Sequence, residues 1–225
     1  MIKRTEIQKI VNDYDDLRIA VLGSHSALEI MDGAKDEGLE TIVFCQKGRE
    51  TPYQRFERIA DEIKILKKFG DMSSAKNQKM LRDTNTIIVP HRSLTAYLGY
   101  NVIENSLKVP IFGNRALFQA EERNNKKNQY YLLKKAGIKY PKIFKNPRDI
   151  NKPAIVKVQE KKRKLERAFF TVSSFSDYKK KSESKIKQGI ISKADLKDAV
   201  IEQLAIGTYL NFNYFHTPIS NNVDF

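Results

Sequence analysis

The chain has 225 residues and a mass of 26.0 kDa, which corresponds to one large domain or two small ones. Hydrophobic residues make up 40% of it, enough to bury a core, and no run of eighteen apolar residues occurs, which excludes a membrane-spanning helix. The N-terminal residues lack the continuous apolar core of a secretory signal, and the single cysteine, Cys45, excludes an internal disulfide. We therefore expect a cytoplasmic protein.

Positive charge is concentrated in the second half of the chain. Residues 1–120 carry 18 basic and 16 acidic side chains, whereas residues 121–225 carry 23 and 11, so the net charges are +2 and +12. Such asymmetry favours a polyanionic partner for the second half, either a nucleoside triphosphate or a nucleic acid. A lysine-rich, solvated surface explains the same charge equally well, so composition alone leaves the choice open.

The first 115 residues alternate between strand and helix patterns. Helices are predicted at 6–14, 26–38, 52–60, 74–84 and 94–100. Short apolar runs predict strands at 18–23, 41–45, 62–66, 86–90 and 109–113. Strands that alternate with helices form a parallel sheet with crossover helices, so the fold class is α/β and doubly wound.

The pattern changes near residue 114. Residues 115–138 predict one long or two short helices, and 177–189 a polar helix. Strands are predicted at 154–158, 168–174, 199–207 and 209–219, the first two joined as a hairpin by a strongly basic loop. We therefore predict two domains, 1–114 and 115–225. The second is α+β, and because the chain ends just past an apolar strand, we expect it to be incomplete.

The sequence GSHS, Gly23 to Ser26, lies where the first strand passes into its helix. Gly23 allows a tight turn, the two serines can cap the helix, and the free N–H groups of a helix start attract anions. His25 can donate to a phosphate or a carbonyl. The dinucleotide-binding glycine pattern is absent, so a simple capped helix start remains the alternative.

The sequence PHRS, Pro90 to Ser93, follows the fourth strand. If the strand order is 3-2-1-4, strands 1 and 4 flank the topological switch point, where ligands bind beyond the carboxyl ends of the strands. His25, His91, Arg92 and Ser93 would then converge on one crevice. Imidazoles and hydroxyls suit recognition of a sugar or carboxamide, and arginine suits a phosphate. No pair of nucleophile and base is apparent.

Three basic residues after the second strand, Lys47, Arg49 and Arg55, lie near the same sheet edge and form a weaker signal. In the second half, Lys157 and Glu202 interrupt apolar strands. A charged residue there either pairs or reaches a ligand, or it faces water on an edge strand, and the pattern does not decide between these. The sequence contains no P-loop, no zinc spacing and no nucleophile elbow.

These segments together resemble a known family. In chain order, the segments are GSHSALEIMDGAKDEG, CQKGRE, VPHRS, IENSLKVPIFGNR and IEQLAIGTYLNFNYFHTPI. They resemble the archaeal formate-dependent ligases of purine biosynthesis. Those enzymes convert AICAR, formate and ATP into FAICAR, ADP and phosphate. The resemblance covers essentially the whole chain. It implies a Rossmann-like pre-ATP-grasp domain with a parallel sheet, followed by a partial α+β ATP-grasp domain.

The resemblance also implies residue roles. His25 and Ser93 match positions that bind the AICAR nucleotide. Lys157 matches the lysine that contacts the ATP phosphates. Glu202 and Gln203 match the hinge beside adenine, and Asn211 matches a residue that closes the same pocket.

The implied reaction passes through formyl phosphate, made from formate and the γ-phosphate of ATP. Magnesium is implied as cofactor, with its acidic ligands beyond the C-terminus of this chain, which looks truncated relative to the family. AICAR and formate are the implied small-molecule partners, and the sequence leaves a homo-oligomer open.

Two alternatives remain. The family's phosphate loop is usually glycine-rich, whereas residues 159–170 here contain no glycine, which favours a paralogue that binds a purine ribonucleotide without ligating it. A basic nucleic-acid-binding protein is the second alternative, weakened by the absence of a groove-reading motif.

Overall fold

The structure is a computed structural model that describes residues 1–122, 125–158 and 168–210, and the backbone of 215–216 and 223–224. The chain forms two compact units, Met1–Asn128 (unit 1) and Gln129–Phe225 (unit 2). The functional boundary expected after residue 114 stays a prediction. None of the helices in the described residues combines the length and the apolar character needed to cross a membrane.

Unit 1 alternates between strands and helices as its apolar pattern predicts. Its strands are β1 (Arg18–Leu22), β2 (Glu40–Gln46), β3 (Glu62–Leu66) and β4 (Thr86–Ile88). Its α-helices are α1 (Arg4–Asn12), α2 (Ala27–Asp36), α3 (Thr51–Arg55), α4 (Ala75–Asp83), α5 (Arg92–Leu98) and α6 (Tyr100–Asn105). Two 3-10 helices add Phe69–Ser73 and Arg115–Glu121. The predicted helix at 52–60 ends early, at Arg55, and Ile59 and Ala60 beyond it are buried in the core.

The four strands form one parallel sheet in the order β3-β2-β1-β4. This confirms the predicted order and places the ends of β1 and β4 side by side. The predicted fifth strand at 109–113 is wrong, because only one bridge forms there, between Ile88 and Ile111. Pro110 and Pro90, which lies two residues after β4, both lack an N–H group, so the pairing cannot extend as a regular ladder.

Alternate residues of the central strands face two separate cores. Ala20 and Leu22 of β1 pack with residues of α4, α5 and α6 on one side of the sheet. Ile19 and Val21 pack with α2 and the segment around Tyr53 on the other side. A sheet covered on both faces needs apolar residues at every position of its central strands, which is why β1 reads as a continuous apolar run.

Unit 2 is α+β, as predicted. Its α-helices are α7 (Gln129–Lys135), α8 (Phe175–Lys187) and α9 (Lys193–Lys197). Its strands are β5 (Ile143–Phe144), β6 (Ala154–Lys157), β7 (Phe170–Val172), β8 (Val200–Gln203), β9 (Phe215–His216) and β10 (Val223–Asp224). A short 3-10 helix covers Pro147–Asp149.

An antiparallel sheet in the order β5-β8-β6-β7 forms the centre of unit 2. The pairing of β6 with β7 confirms the predicted hairpin, and its basic loop, residues 159–167, lies outside the described residues. Of the strand predicted at 209–219, the backbone of β9 is described, and it pairs antiparallel with β10.

A half-buried arginine closes the end of α6 in unit 1. The Arg115 guanidinium donates through Nη1 to the carbonyls of Ile103 (2.5 Å) and Leu107 (2.7 Å), and through Nη2 to that of Val109 (2.9 Å). The planar fork of arginine suits this arrangement, because it offers several fixed N–H groups to one carbonyl in the last turn of α6 and two in the segment that follows.

Replacing Arg115 by methionine is expected to lower the free energy of unfolding of unit 1 by about 2 kcal/mol, since the carbonyls lose their donors in a part-buried place. Urea unfolding followed by circular dichroism measures this. The matched control is Arg82→Met, which removes one exposed bond, to the Lys108 carbonyl at 3.0 Å. Equal losses in the two variants would contradict the assignment.

Candidate functional site

The turn after β1 is built on a glycine at which any side chain would clash with its neighbours. A Cβ at Gly23 would lie 2.8 Å from Cys45 Sγ and 3.1 Å from both the Phe44 carbonyl oxygen and a ring carbon of Tyr53. The Gly23 N–H donates to Phe44 O at 2.8 Å, so the chain lies against β2 as it leaves the sheet. His25, two residues later, has a φ of +47°, a strained conformation for a residue other than glycine.

The serines of this turn do not cap α2 as expected. Ser26 is the N-cap residue, yet its side chain makes no capping bond, and its hydroxyl lies 2.5 Å from His25 Nδ1 instead. Ser24 Oγ accepts a hydrogen bond from Ser93 Oγ at 3.2 Å. Each hydroxyl therefore contacts a side chain of the two loops, His25 or Ser93.

The loops after β1 and β4 meet at the switch point. The Ser93–Ser24 bond joins them, and the rings of His25 and His91 stack with centroids 6.1 Å apart. The structure thus brings together His25, His91 and Ser93, which the sequence placed at one crevice. Arg92, the first residue of α5, is exposed beside them. Their role in binding a ligand stays a prediction.

His91 is bound to backbone on both sides of its ring. Nε2 lies 2.8 Å from the carbonyl oxygen of Leu22, and Nδ1 accepts from the Ser93 N–H at 3.3 Å. Burial, the larger cause, and the nearby His25 lower the pKa of His91, and these outweigh the Leu22 carbonyl and Glu29, which raise it. The sequence indicated His91 as a residue of the crevice, but not that its nitrogens are already occupied.

Arg49 lies beyond the end of β2, at the same edge of the sheet. Its guanidinium carbon is 5.6 Å from the centre of the Phe69 ring, and Nη1 donates to the Tyr97 hydroxyl at 3.4 Å. Tyr97 is one helical turn after Ser93 on α5. An exposed guanidinium is thus held beside the helix that carries Ser93, where it can pair with an anion.

In unit 2, Lys157 and Glu202 lie on the two central strands of the sheet, β6 and β8, so the edge-strand alternative is wrong. Glu202 pairs in register with Ile155, which places it diagonally opposite Lys157 on the same face. Lys157 Nζ forms an ion pair with Glu202 Oε1, and the Tyr130 hydroxyl donates to Glu202 Oε2 at 2.5 Å. The Glu202 side chain is 7% exposed and that of Lys157 21%.

Gln203 lines an open depression of about 320 Å³ at the end of β8. The other lining residues are Lys139, Tyr140, Pro141 and Ala205. The Tyr140 ring also packs against Tyr130, with centroids 6.0 Å apart, so the depression adjoins the Lys157–Glu202 pair. Residues 139–141 were not predicted as site residues, and the Tyr-Pro pair before a short strand is the only signal for them in the sequence. Asn211 lies outside the described residues.

A family model described as "Protein of unknown function (DUF1246)" matches residues 19–144, more than half of the chain. The chain belongs to the DUF1246 family. A second model, "Domain of unknown function (DUF1297)", matches residues 177–225 of this DUF1246 protein.

Curated relatives of this DUF1246 chain carry an enzyme name. One from Methanopyrus kandleri, "5-formaminoimidazole-4-carboxamide-1-(beta)-D-ribofuranosyl 5'-monophosphate synthetase", is 42% identical over 226 residues. The match covers 100% of this chain and 62% of the relative, so the chain spans less than two thirds of the relative's length. The resemblance drawn from the sequence, to an archaeal family with this product, is confirmed.

Two solved structures define the fold. The IMP biosynthesis protein PurP from Thermococcus kodakaraensis has a TM-score of 0.59 and 24% identity, covering 91% of this chain and 56% of that one. The biotin carboxylase domain of the Hydrogenobacter thermophilus 2-oxoglutarate carboxylase, in complex with MgADP, ADP and bicarbonate, has a TM-score of 0.57 and 12% identity. That match covers 85% of this chain and 45% of the domain. The predicted Rossmann-like and ATP-grasp architecture of the DUF1246 chain is confirmed.

Metal-binding side chains are not clustered in the described residues of this DUF1246 chain. Over 1–122, 125–158 and 168–210, no three His, Cys, Asp or Glu side chains are grouped closely enough to hold an ion. Glu202, the buried carboxylate beside the depression, has both oxygens engaged by Lys157 and Tyr130.

Proposed function

We propose that this chain carries the purine-ribonucleotide crevice and part of the ATP site of a ligase that joins formate to the amine of AICAR. The products are FAICAR, ADP and phosphate. The match to the Methanopyrus relative along 100% of this chain is the observation that carries the proposal. The meeting of His25 and Ser93 at the switch point of a parallel sheet supports it, because ligands bind at that point in open α/β sheets.

In the proposed reaction, a formate oxygen attacks the γ-phosphorus of ATP and ADP leaves. The resulting formyl phosphate has a good leaving group, and the AICAR amine attacks its formyl carbon, releasing phosphate and a proton. The chain's part in these steps is to bind and orient. A lysine at the end of β6 suits the developing charge on the phosphates, and we assign that role to Lys157.

The AICAR site is assigned to unit 1. His25 and the Ser93 hydroxyl present polar atoms at the crevice, suited to the ribose and the carboxamide. Arg49, held by Tyr97 and Phe69 at the same edge, is the cation that we assign to the ligand's 5'-phosphate. The sequence grouped Arg49 with Lys47 and Arg55, and among these three the structure gives Arg49 a fixed place beside α5.

The ATP site is assigned to unit 2. The depression lined by Gln203 and Tyr140 offers an aromatic wall and an amide for a purine base. Asn211, which the resemblance assigns to the same pocket, lies outside the described residues, and its contribution stays a prediction. Magnesium would neutralise the phosphates when bound, and the described residues contain no cluster of three His, Cys, Asp or Glu side chains for it.

Ser93→Ala is expected to weaken AICAR binding about tenfold, because one hydrogen bond to a polar ligand contributes about 1.4 kcal/mol. His25→Ala and Arg49→Ala are expected to do the same or more. Calorimetric titration of the whole chain measures this, with Ser73→Ala as control, since Ser73 donates to the Gly70 carbonyl elsewhere in unit 1. Wild-type protein that releases no heat with AICAR would overturn the proposal, as would variants that bind as tightly as the control.

The non-ligating paralogue remains the second candidate, favoured by the absence of glycine from residues 159–170. Without glycine, the backbone cannot approach phosphates as closely, and lysine or arginine side chains would have to replace N–H contacts. Release of ADP in the presence of formate, AICAR and Mg-ATP separates the two. Tight AICAR binding without ADP release would identify the paralogue.

A further inference from the structure

The imidazole of His91 is held in one protonation state by its two partners. The Leu22 carbonyl only accepts hydrogen bonds, so Nε2, at 2.8 Å from it, carries a proton. The Ser93 backbone N–H only donates, so Nδ1, at 3.3 Å, is bare. Both contacts are satisfied by the neutral Nε2–H tautomer and by no other form of the ring.

These two contacts join the segments that make the crevice. Leu22 is the last residue of β1, directly before the turn that contains Ser24 and His25. Ser93 lies in the first turn of α5, and its hydroxyl donates to Ser24. His91 is the N-cap residue of α5, so its ring fixes where that helix starts and hence where the Ser93 hydroxyl points.

We propose that His91 is a positioning residue, which as a neutral imidazole ties the end of β1 to the start of α5 and releases the start of α5 when it is protonated. A proton on Nδ1 would face the Ser93 N–H, so the cap would be lost. The inference rests on the proposed function for its ligand, and it adds a residue and a pH response to that site.

The charged groups around His91 come from three elements. His25 lies in the turn after β1, Glu29 on α2 and Arg92 on α5. The pKa of His91 is lowered, with burial as the largest cause and His25 acting in the same direction. A histidine with a lowered pKa is neutral at pH 7, and it gains its proton only below the value of about 6.5 seen in unfolded chains. The tie is therefore intact at neutral pH and lost on acidification.

Nitrogen NMR of the histidine side chains of the whole chain tests the tautomer without a ligand. We expect the His91 spectrum to show a bare Nδ1 and a protonated Nε2 at about pH 7.5. The amide resonance of Ser93 should shift with the same midpoint as the His91 ring, below about pH 6.5. A protonated Nδ1 at neutral pH, or a Ser93 amide that ignores the His91 titration, would overturn the proposal.

Affinity for AICAR provides the second measurement. The ligand's phosphate itself has a pKa near 6, so binding depends on pH even without His91. The effect of His91 is therefore taken as the ratio of the AICAR dissociation constants of wild type and His91→Asn at each pH. Asparagine is a good N-cap residue that does not titrate. We expect His91→Asn to bind within about tenfold of wild type at pH 8 and to lose less affinity on going to about pH 5. His91→Ala, which keeps neither contact, should bind more weakly than His91→Asn at every pH.

His25→Gln is the matched control, because it removes the other imidazole of the stacked pair. For each variant, the loss of AICAR affinity between pH 8 and pH 5 is compared with that of wild type. If this loss becomes smaller in His25→Gln and stays unchanged in His91→Asn, the pH response belongs to His25 and the proposal is wrong. Absence of AICAR binding at every pH would defeat the proposed function alone, since the NMR measurement decides the role of His91 without any ligand.

Discussion

Lys157→Met is expected to reduce the protection of β6 and β8 amides against hydrogen exchange by about 3 kcal/mol. The substitution leaves the Glu202 carboxylate, 7% exposed, without its cation. Breaking a buried ion pair by removing one partner costs about 3–5 kcal/mol, and we take the lower end because Lys157 is 21% exposed.

A double-mutant cycle measures the interaction energy between Lys157 and Glu202 separately from the effect of each side chain alone. Glu202→Gln keeps an oxygen for the Tyr130 hydroxyl, so the double variant Lys157→Met with Glu202→Gln should be more stable than Lys157→Met alone. Lys181→Met is the control, because Lys181 is 45% exposed and its partners, Asp177 one turn away on α8 and the Thr171 carbonyl, lie at the surface of the unit. Additive effects at Lys157 and Glu202 would contradict a coupled buried pair.

Gly23→Ala is expected to destabilise unit 1 by about 3 kcal/mol and to abolish AICAR binding. The new methyl group would lie 2.8 Å from Cys45 Sγ and 3.1 Å from the Phe44 carbonyl oxygen, and overpacking against backbone typically costs 1–3 kcal/mol. The turn that carries His25 begins at Gly23. A shift of the backbone that relieves the clash therefore also displaces His25 from its place in the crevice.

Gly33→Ala is the matched control for that substitution. Gly33 lies inside α2, and a Cβ there meets nothing within 4 Å. Alanine is a better helix former than glycine, so this variant should be more stable than wild type by about 0.5–1 kcal/mol. Urea unfolding gives both values. A Gly23→Ala protein as stable as wild type would show that the turn adjusts freely.

The strand order and the crevice could be predicted because their signals are local. Each central strand of unit 1 is a short apolar run followed by a polar loop, and chain order with parallel crossovers leaves few arrangements. The segment at 109–113 is also a short apolar run. However, Pro110 lacks the N–H group that a regular ladder of hydrogen bonds needs, and a single bridge forms instead of a strand.

The contacts between distant segments could not be predicted. Lys157 and Glu202 are 45 positions apart, and their pairing depends on β8 lying beside β6, which no local pattern encodes. For the same reason the sequence suggested a ligand role for His91 and missed its backbone partners, since the Leu22 carbonyl is 69 residues away. The predicted serine caps also depend on such contacts, since the Ser26 hydroxyl lies against the His25 ring and the Ser24 hydroxyl accepts from Ser93.

The position of Cys45 makes its thiol a natural probe of local unfolding in unit 1. It is the only cysteine, its sulfur lies beneath the turn at Gly23, and burial raises its pKa to about 12. A thiolate-directed reagent therefore reacts only with molecules in which unit 1 has opened. The rate at which the Cys45 thiol is labelled therefore measures how often the sheet of unit 1 opens. The measurement needs no introduced probe, and unit 2 contributes no signal to it.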